Sequence, residues 1–278
     1  MHRRNFIYSL ALSVTAGVAT PWKSALTAQP ISPRGAGTGY SIEGEGAYAL
    51  APIADFVRKN GLLETAPENP DAATLVYSLV EWKQANRKSP PTCGEYGTLR
   101  IQYKRQPDGA EYQLARMEQM VESTALVRRN GNSLSWEFEQ KPRGKESMDL
   151  GLSTRVRGEA GNGLWRQSIN GREESGNLEH HPVADCELLT GGVPLSKLAQ
   201  SGPATLFSHE FCFQHPAPCE VSQNEPLTLR GQTENLSLAV YSLSCAHRLP
   251  QHYLVPTGQQ YSTACTEFAT SFILKQIA

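Results

Sequence analysis

The sequence predicts a mainly β protein: an antiparallel meander forming a β-barrel or β-sandwich, with one or two short helices. Three observations lead there. Apolar and polar residues alternate over many short stretches, which is the period of a half-buried strand. Turn sequences such as Pro107-Asp108-Gly109, Asn130-Gly131-Asn132 and Gly161-Asn162-Gly163 punctuate these stretches, at the roughly 8–15-residue spacing of sandwiches and barrels. The long amphipathic helices that a parallel sheet needs between its strands do not show in the pattern.

The chain opens with a different signature. Arg3 and Arg4 precede a weakly apolar, uncharged run from Phe6 to Ala19. Small residues at Gly17 and Ala19 mark a cut after Ala19, and Ala28 offers a second. This is the three-part plan of an export signal, so residues 1–28 are expected to form a signal peptide cut after Ala19 or Ala28. At about 1.5 Å per residue the run falls short of a bilayer core of roughly 30 Å, so no transmembrane anchor is expected. The order Arg3-Arg4-Asn5-Phe6-Ile7 resembles the bacterial twin-arginine export motif, with Tyr8 where that motif usually has lysine. The resemblance covers the leader alone. It implies a bacterial protein carried folded into the periplasm or beyond the cell.

Residues 29–50 are rich in Gly, Pro and Ser and read as a flexible linker. Residues 51–278 read as a single β domain. Ile53, Phe56 and Val57 share a helical face before Asn60-Gly61, which predicts a short helix at 52–60. The segments TLVYSLVEW, GTLRIQYKR and EYQLARMEQMV read as successive strands around the 107–109 turn. TALVRR and SLSWEFEQ form the clearest hairpin, with Leu134, Trp136 and Phe138 on its apolar face. A further hairpin folds at Gly161-Asn162-Gly163. Residues 171–203 break the rhythm as a long irregular excursion, with one helical turn at PLSKLAQ. Strands resume at ATLFSHEFCFQ, where Phe207, His209, Phe211 and Phe213 alternate, and continue through LSLAVYSLSCAH, HYLVP and TEFATSFILK.

Charge narrows the function classes. The full chain has 26 basic and 27 acidic residues, and a cut after Ala19 leaves 24 against 27, a balance of −3. No basic stripe is present, which argues against nucleic acid as a partner. The six cysteines all lie beyond the leader, and an even count in an exported chain points to disulfides. Cys212 and Cys219 flank a proline-containing loop and are expected to pair. Cys245 and Cys265 are expected to bridge neighbouring strands, which leaves Cys93 and Cys186.

His209, Cys212, His215 and Cys219, followed by Cys245 and His247, form the richest cluster of potential ligands. His209, His215 and His247 are the alternative metal candidates, but disulfides with ordinary histidines are the preferred reading, and no cofactor is expected. The familiar nucleophile-elbow, zinc-protease, phosphate-loop and dinucleotide motifs are all missing. Met117 and Met120 read as core packing, Arg128-Arg129 as a solvated hairpin tip, and Glu173-Glu174 as a solvated loop. The expected function is non-enzymatic binding of an apolar small molecule or a cell-envelope partner. The alternative is an exported metalloprotein or hydrolase using the 209–247 region.

Overall fold

The computed structural model describes residues 42–43, 71–83, 92–144, 148, 152–191, 195–211, 213, 216–230, 235–245, 248–267 and 270–278. The leader, most of the linker, the helix expected at 52–60, and Cys212, His215 and His247 lie outside these residues. One compact unit spans Thr38–Ala278.

Its elements are β1 (Ile42–Glu43), β2 (Ala72–Lys83), β3 (Thr92–Gln106), β4 (Gly109–Glu118), β5 (Val121–Asn130), β6 (Ser133–Pro142), β7 (Thr154–Gly161), β8 (Leu164–Ile169) and β9 (Arg172–Asn177). There follow β10 (His181–Ala184), α1 (Asp185–Thr190), α2 (Leu195–Ser201), β11 (Ala204–Phe207), β12 (Ala217–Arg230), β13 (Asn235–Cys245), β14 (Gln251–Pro256), β15 (Ala264–Glu267) and β16 (Thr270–Ile277). They form one antiparallel-dominated sheet that does not close. β2 to β9 make one meander, β11 to β16 make another, and β16 joins the two by pairing with β2. The exceptions are β10, which lies parallel to β11, and β1, which pairs with β12.

Local sequence explains most of the first meander. Leu75, Tyr77 and Leu79 face inward on β2, Leu99 and Ile101 on β3, Tyr112 and Leu114 on β4. On β6 Leu134, Trp136 and Phe138 are buried as the alternation requires. Asn162-Gly163 and Asn170-Gly171 join β7, β8 and β9 as two-residue loops, and all four residues have positive φ. Asn and Gly tolerate that region, which matches the twist of the strands they connect.

In the second meander, β13 to β16 carry stretches buried on both faces. Tyr241, Leu243, Tyr253, Phe272 and Leu274 belong to the main core. Leu227, Leu229, Leu238, Val240, Leu254 and Ile273 form a second cluster with Val80 on the opposite face. Apolar residues at successive positions, as in Phe272-Ile273-Leu274, are the consequence.

Four expectations are corrected. The excursion at 171–203 contains β9, β10 and α1 besides the expected turn of α2. The segment ATLFSHEFCFQ is a strand only to Phe207; a 3-10 turn follows at His209–Phe211, and Phe213 takes φ 56. The Phe213 amide there donates to the Ser208 carbonyl at 2.8 Å, closing the chain on itself. TEFATSFILK is a hairpin of β15 and β16 rather than one strand. Met117 is 50% exposed, so it packs no core.

The inward face of the sheet is covered by the chain's own crossover. α1 and α2 carry Cys186, Leu188, Leu189, Leu195 and Leu198 into the main core. The edge strand β10 lies against β6 and β7. Trp136 of β6 packs on Phe207, with ring centroids 4.5 Å apart, and stacks on Phe213 at 5.7 Å.

Candidate functional site

Two constellations stand out, one buried beneath the crossover and one open on the outer face. The buried one begins with Asp185, the first residue of α1. His209 Nδ1 donates to Asp185 Oδ1, and Ser208 Oγ donates to Asp185 Oδ2 at 2.5 Å. Burial pushes the Asp185 carboxyl up, but the His209 ring and the Ser208 hydroxyl outweigh it and hold it below the ordinary range.

A Ser, a His and an Asp are thus together, yet the arrangement is not a nucleophilic triad. Ser208 spends its hydrogen on the carboxylate rather than on the imidazole, so no base withdraws its proton. His209 Nε2 is buried and has no hydrogen-bond partner among the described residues. The group's role is to clamp the 3-10 turn to the start of α1. Among the described residues no three His, Cys, Asp or Glu side chains converge as metal ligands.

Beside this clamp, Gln251 Nε2 donates to Glu210 at 2.9 Å and to Glu267 at 3.3 Å. Tyr253 Oη donates in turn to Gln251 Oε1 at 3.2 Å. Burial, with the Glu210 charge adding to it, raises the Glu267 carboxyl to about 7. Folded protein therefore keeps a proton that the unfolded chain releases near 4.5. The stability this supplies is complete below 4.5 and is lost as pH rises through about 7. Glu267→Gln should flatten that part of the pH profile, with urea midpoints compared at several pH values. Identical slopes for the two proteins would show that Glu267 titrates normally.

Arg129 does not lie at a solvated hairpin tip. Arg128 is exposed and pairs with Glu111 at 2.9 Å, as a hairpin tip should. Arg129 instead points inward, its Nε and Nη2 engaging both oxygens of Glu187 on α1. Nη2 also donates to the Pro182 carbonyl at 2.7 Å, and Glu187 accepts the Ala184 amide at 2.9 Å. The Glu187 side chain is 0% exposed. The parity that turns Val121, Ala125 and Val127 inward on β5 also turns Arg129 inward, so a signal was present.

The open constellation lies on the outer face of β5 to β9. Register sets two rows of side chains across these strands. One row runs Leu126, Glu137, Arg157, Ser168, Glu173; the other runs Arg128, Ser135, Glu159, Arg166. Together they line a hollow of about 350 Å³. Its floor is low because Ser135 and Ser168 are small, whereas Gly158 faces the other way and leaves room on the inward side for Trp136. An added methyl at Gly158 would come within 2.6 Å of Trp136 Cε2. Glu173, expected in a loop, therefore stands on a strand in the wall of this hollow.

The walls hold arginine and glutamate in equal number. Arg157 faces Glu137 at 3.6 Å, and Arg166 pairs with Glu159. All four side chains are more than half exposed. Such pairs contribute only about 0–1 kcal/mol, so a charged guest exchanges with them at small cost.

The cysteines depart from expectation. Cys245 and Cys265 do not face each other: Cys265 sits opposite Tyr253 and Phe272, whereas Cys245 sits opposite Cys219. Cys93, Cys186, Cys219, Cys245 and Cys265 are free thiols in this structure. No described helix is long and apolar enough to cross a membrane. The fold thus defines a class, one open, antiparallel-dominated sheet with two short helices. Compared with known protein families, curated proteins and solved structures, the chain matches none of them.

Proposed function

We propose that this chain is an exported, non-enzymatic binding protein that holds a polar, doubly charged component of the bacterial envelope in the hollow over β5 to β9. The sheet is read as an open barrel rather than a sandwich, because one sheet curls until β10 lies against β6 and β7. The leader supports delivery to the periplasm or the exterior. The observation that carries the reading is the pair of rows with alternating charge around a serine-floored hollow. A partner bearing both ammonium and carboxylate groups, such as a wall peptide, complements both signs at once. An apolar guest has no such support, since α1, α2 and the Trp136 cluster occupy the inward face.

Co-sedimentation of the mature protein with purified bacterial wall sacculi tests this. The wild type should pellet at low salt and release as salt rises, because exposed charges are screened. The triple change Arg128→Ser, Arg157→Ser and Arg166→Ser should weaken binding by about tenfold or more, roughly 1.4 kcal/mol. Equal pelleting of the triple variant and the wild type would exclude the hollow.

A further inference from the structure

We propose that Cys219 and Cys245 are a redox-active pair that closes to a disulfide across β12 and β13. The two are direct partners in the antiparallel register. Opposed residues in such a ladder sit about 4.5 or 5.5 Å apart at Cα, inside the span of about 4.4–6.8 Å that a disulfide bridges. The other three described cysteines have no cysteine in this position. Cys93 is opposite Trp82, Cys265 is opposite Tyr253 and Phe272, and Cys186 is buried on α1.

The two thiols are unequal, as a working dithiol requires. Cys219 is buried and Cys245 half-buried. The Cys219 S–H donates to the Cys245 sulfur, and the Arg248 charge assists, so Cys245 is held below the ordinary thiol range. The same hydrogen bond, with burial, pushes Cys219 up. Cys245 is therefore the attacking sulfur and Cys219 the resolving one.

With oxidised glutathione as the oxidant, the step balances. The Cys245 thiolate attacks one glutathione sulfur, forming a mixed disulfide and releasing a glutathione thiolate. That thiolate takes the Cys219 proton. The Cys219 sulfur then attacks Cys245 Sγ and releases the second glutathione. Two protein sulfurs are oxidised and one glutathione disulfide is reduced. The bond ties the start of β12 to the end of β13. This inference is independent of the hollow on the outer face.

The test equilibrates the full chain with glutathione buffers from reducing to oxidising, quenches in acid, alkylates and maps unreduced peptides by mass spectrometry. The expected product is a single cross-linked peptide joining Cys219 to Cys245. Under native conditions Cys245 should alkylate about tenfold or more faster than Cys219. Cys219→Ser should trap Cys245 as a glutathione mixed disulfide, and Cys245→Ser should leave Cys219 as a thiol. A bond from Cys245 to Cys265 or Cys212 would overturn the proposal. So would free alkylation of both sulfurs at the most oxidising ratio, and the wild-type map alone decides this if a variant misfolds.

Discussion

Replacing Arg129 by methionine should cost about 3–5 kcal/mol of stability, the usual result of leaving one member of a buried ion pair alone. At about 2–4 °C per kcal/mol for a chain of this size, the melting temperature should drop by roughly 6–20 °C. The reason is the position of Glu187. Its side chain is 0% exposed, and its two oxygens accept from Arg129 and the Ala184 amide. Without Arg129 the carboxylate is a charge without a counterion in the core. Burial works against the Arg129 cation, yet Glu187 still holds its pKa above the ordinary arginine value. Arg128→Met is the matched control and should change stability by no more than about 0.5 kcal/mol. The double variant Arg129→Met with Glu187→Leu should recover at least half of the loss, since apolar replacement of a whole buried pair is often well tolerated. Urea midpoints of the four proteins check this, and an Arg129→Met protein within 1 kcal/mol (roughly the net worth of one hydrogen bond) of wild type would refute the buried-pair reading.

Trp136→Ala should be comparably severe, about 3–5 kcal/mol, because an aromatic deletion in a packed core leaves a cavity that relaxes only in part. The site makes the effect regional as well as global. Trp136 on β6 touches Phe207 and Phe213, which flank the clamp around His209, and Phe138 meets Phe213 edge-on at 6.0 Å. These rings join distant parts of the sheet where no backbone ladder does. Hydrogen exchange should therefore rise most in 204–213 and 134–138, ahead of the β13–β14 ladder. Uniform exchange across the chain would mean that the aromatic cluster is not what fastens β11 to β6. Trp136→Phe should keep part of the contact and lose less.

What the sequence disclosed followed the number of buried faces. Strands with one face in water, β3 to β8, show the two-residue period and were legible with their Asn-Gly turns. β12 was not, because its polar run with Pro226 carries a register shift between Asn224 and Leu227 that breaks the pattern. Without a visible β12, nothing local in the sequence sets Cys219 opposite Cys245. The stretch around His209 failed for another reason. Its alternation was genuine, but Asp185, 24 residues earlier, captures Ser208 and His209 and bends the chain into a 3-10 turn. No local pattern reports a partner that far away. Arg129 is the instructive case: charge suggested water, parity suggested the core, and parity was right.

The C-terminal strand sits in the middle of the sheet, not at an edge. β16 pairs with β2, and the amide and carbonyl of Ala278 exchange hydrogen bonds with Thr74 at 2.9 and 2.6 Å. β16 pairs with β15 on one side and β2 on the other, so it is the seam that unites the two meanders. Deleting Thr270–Ile277 would divide one sheet into two halves with raw edges.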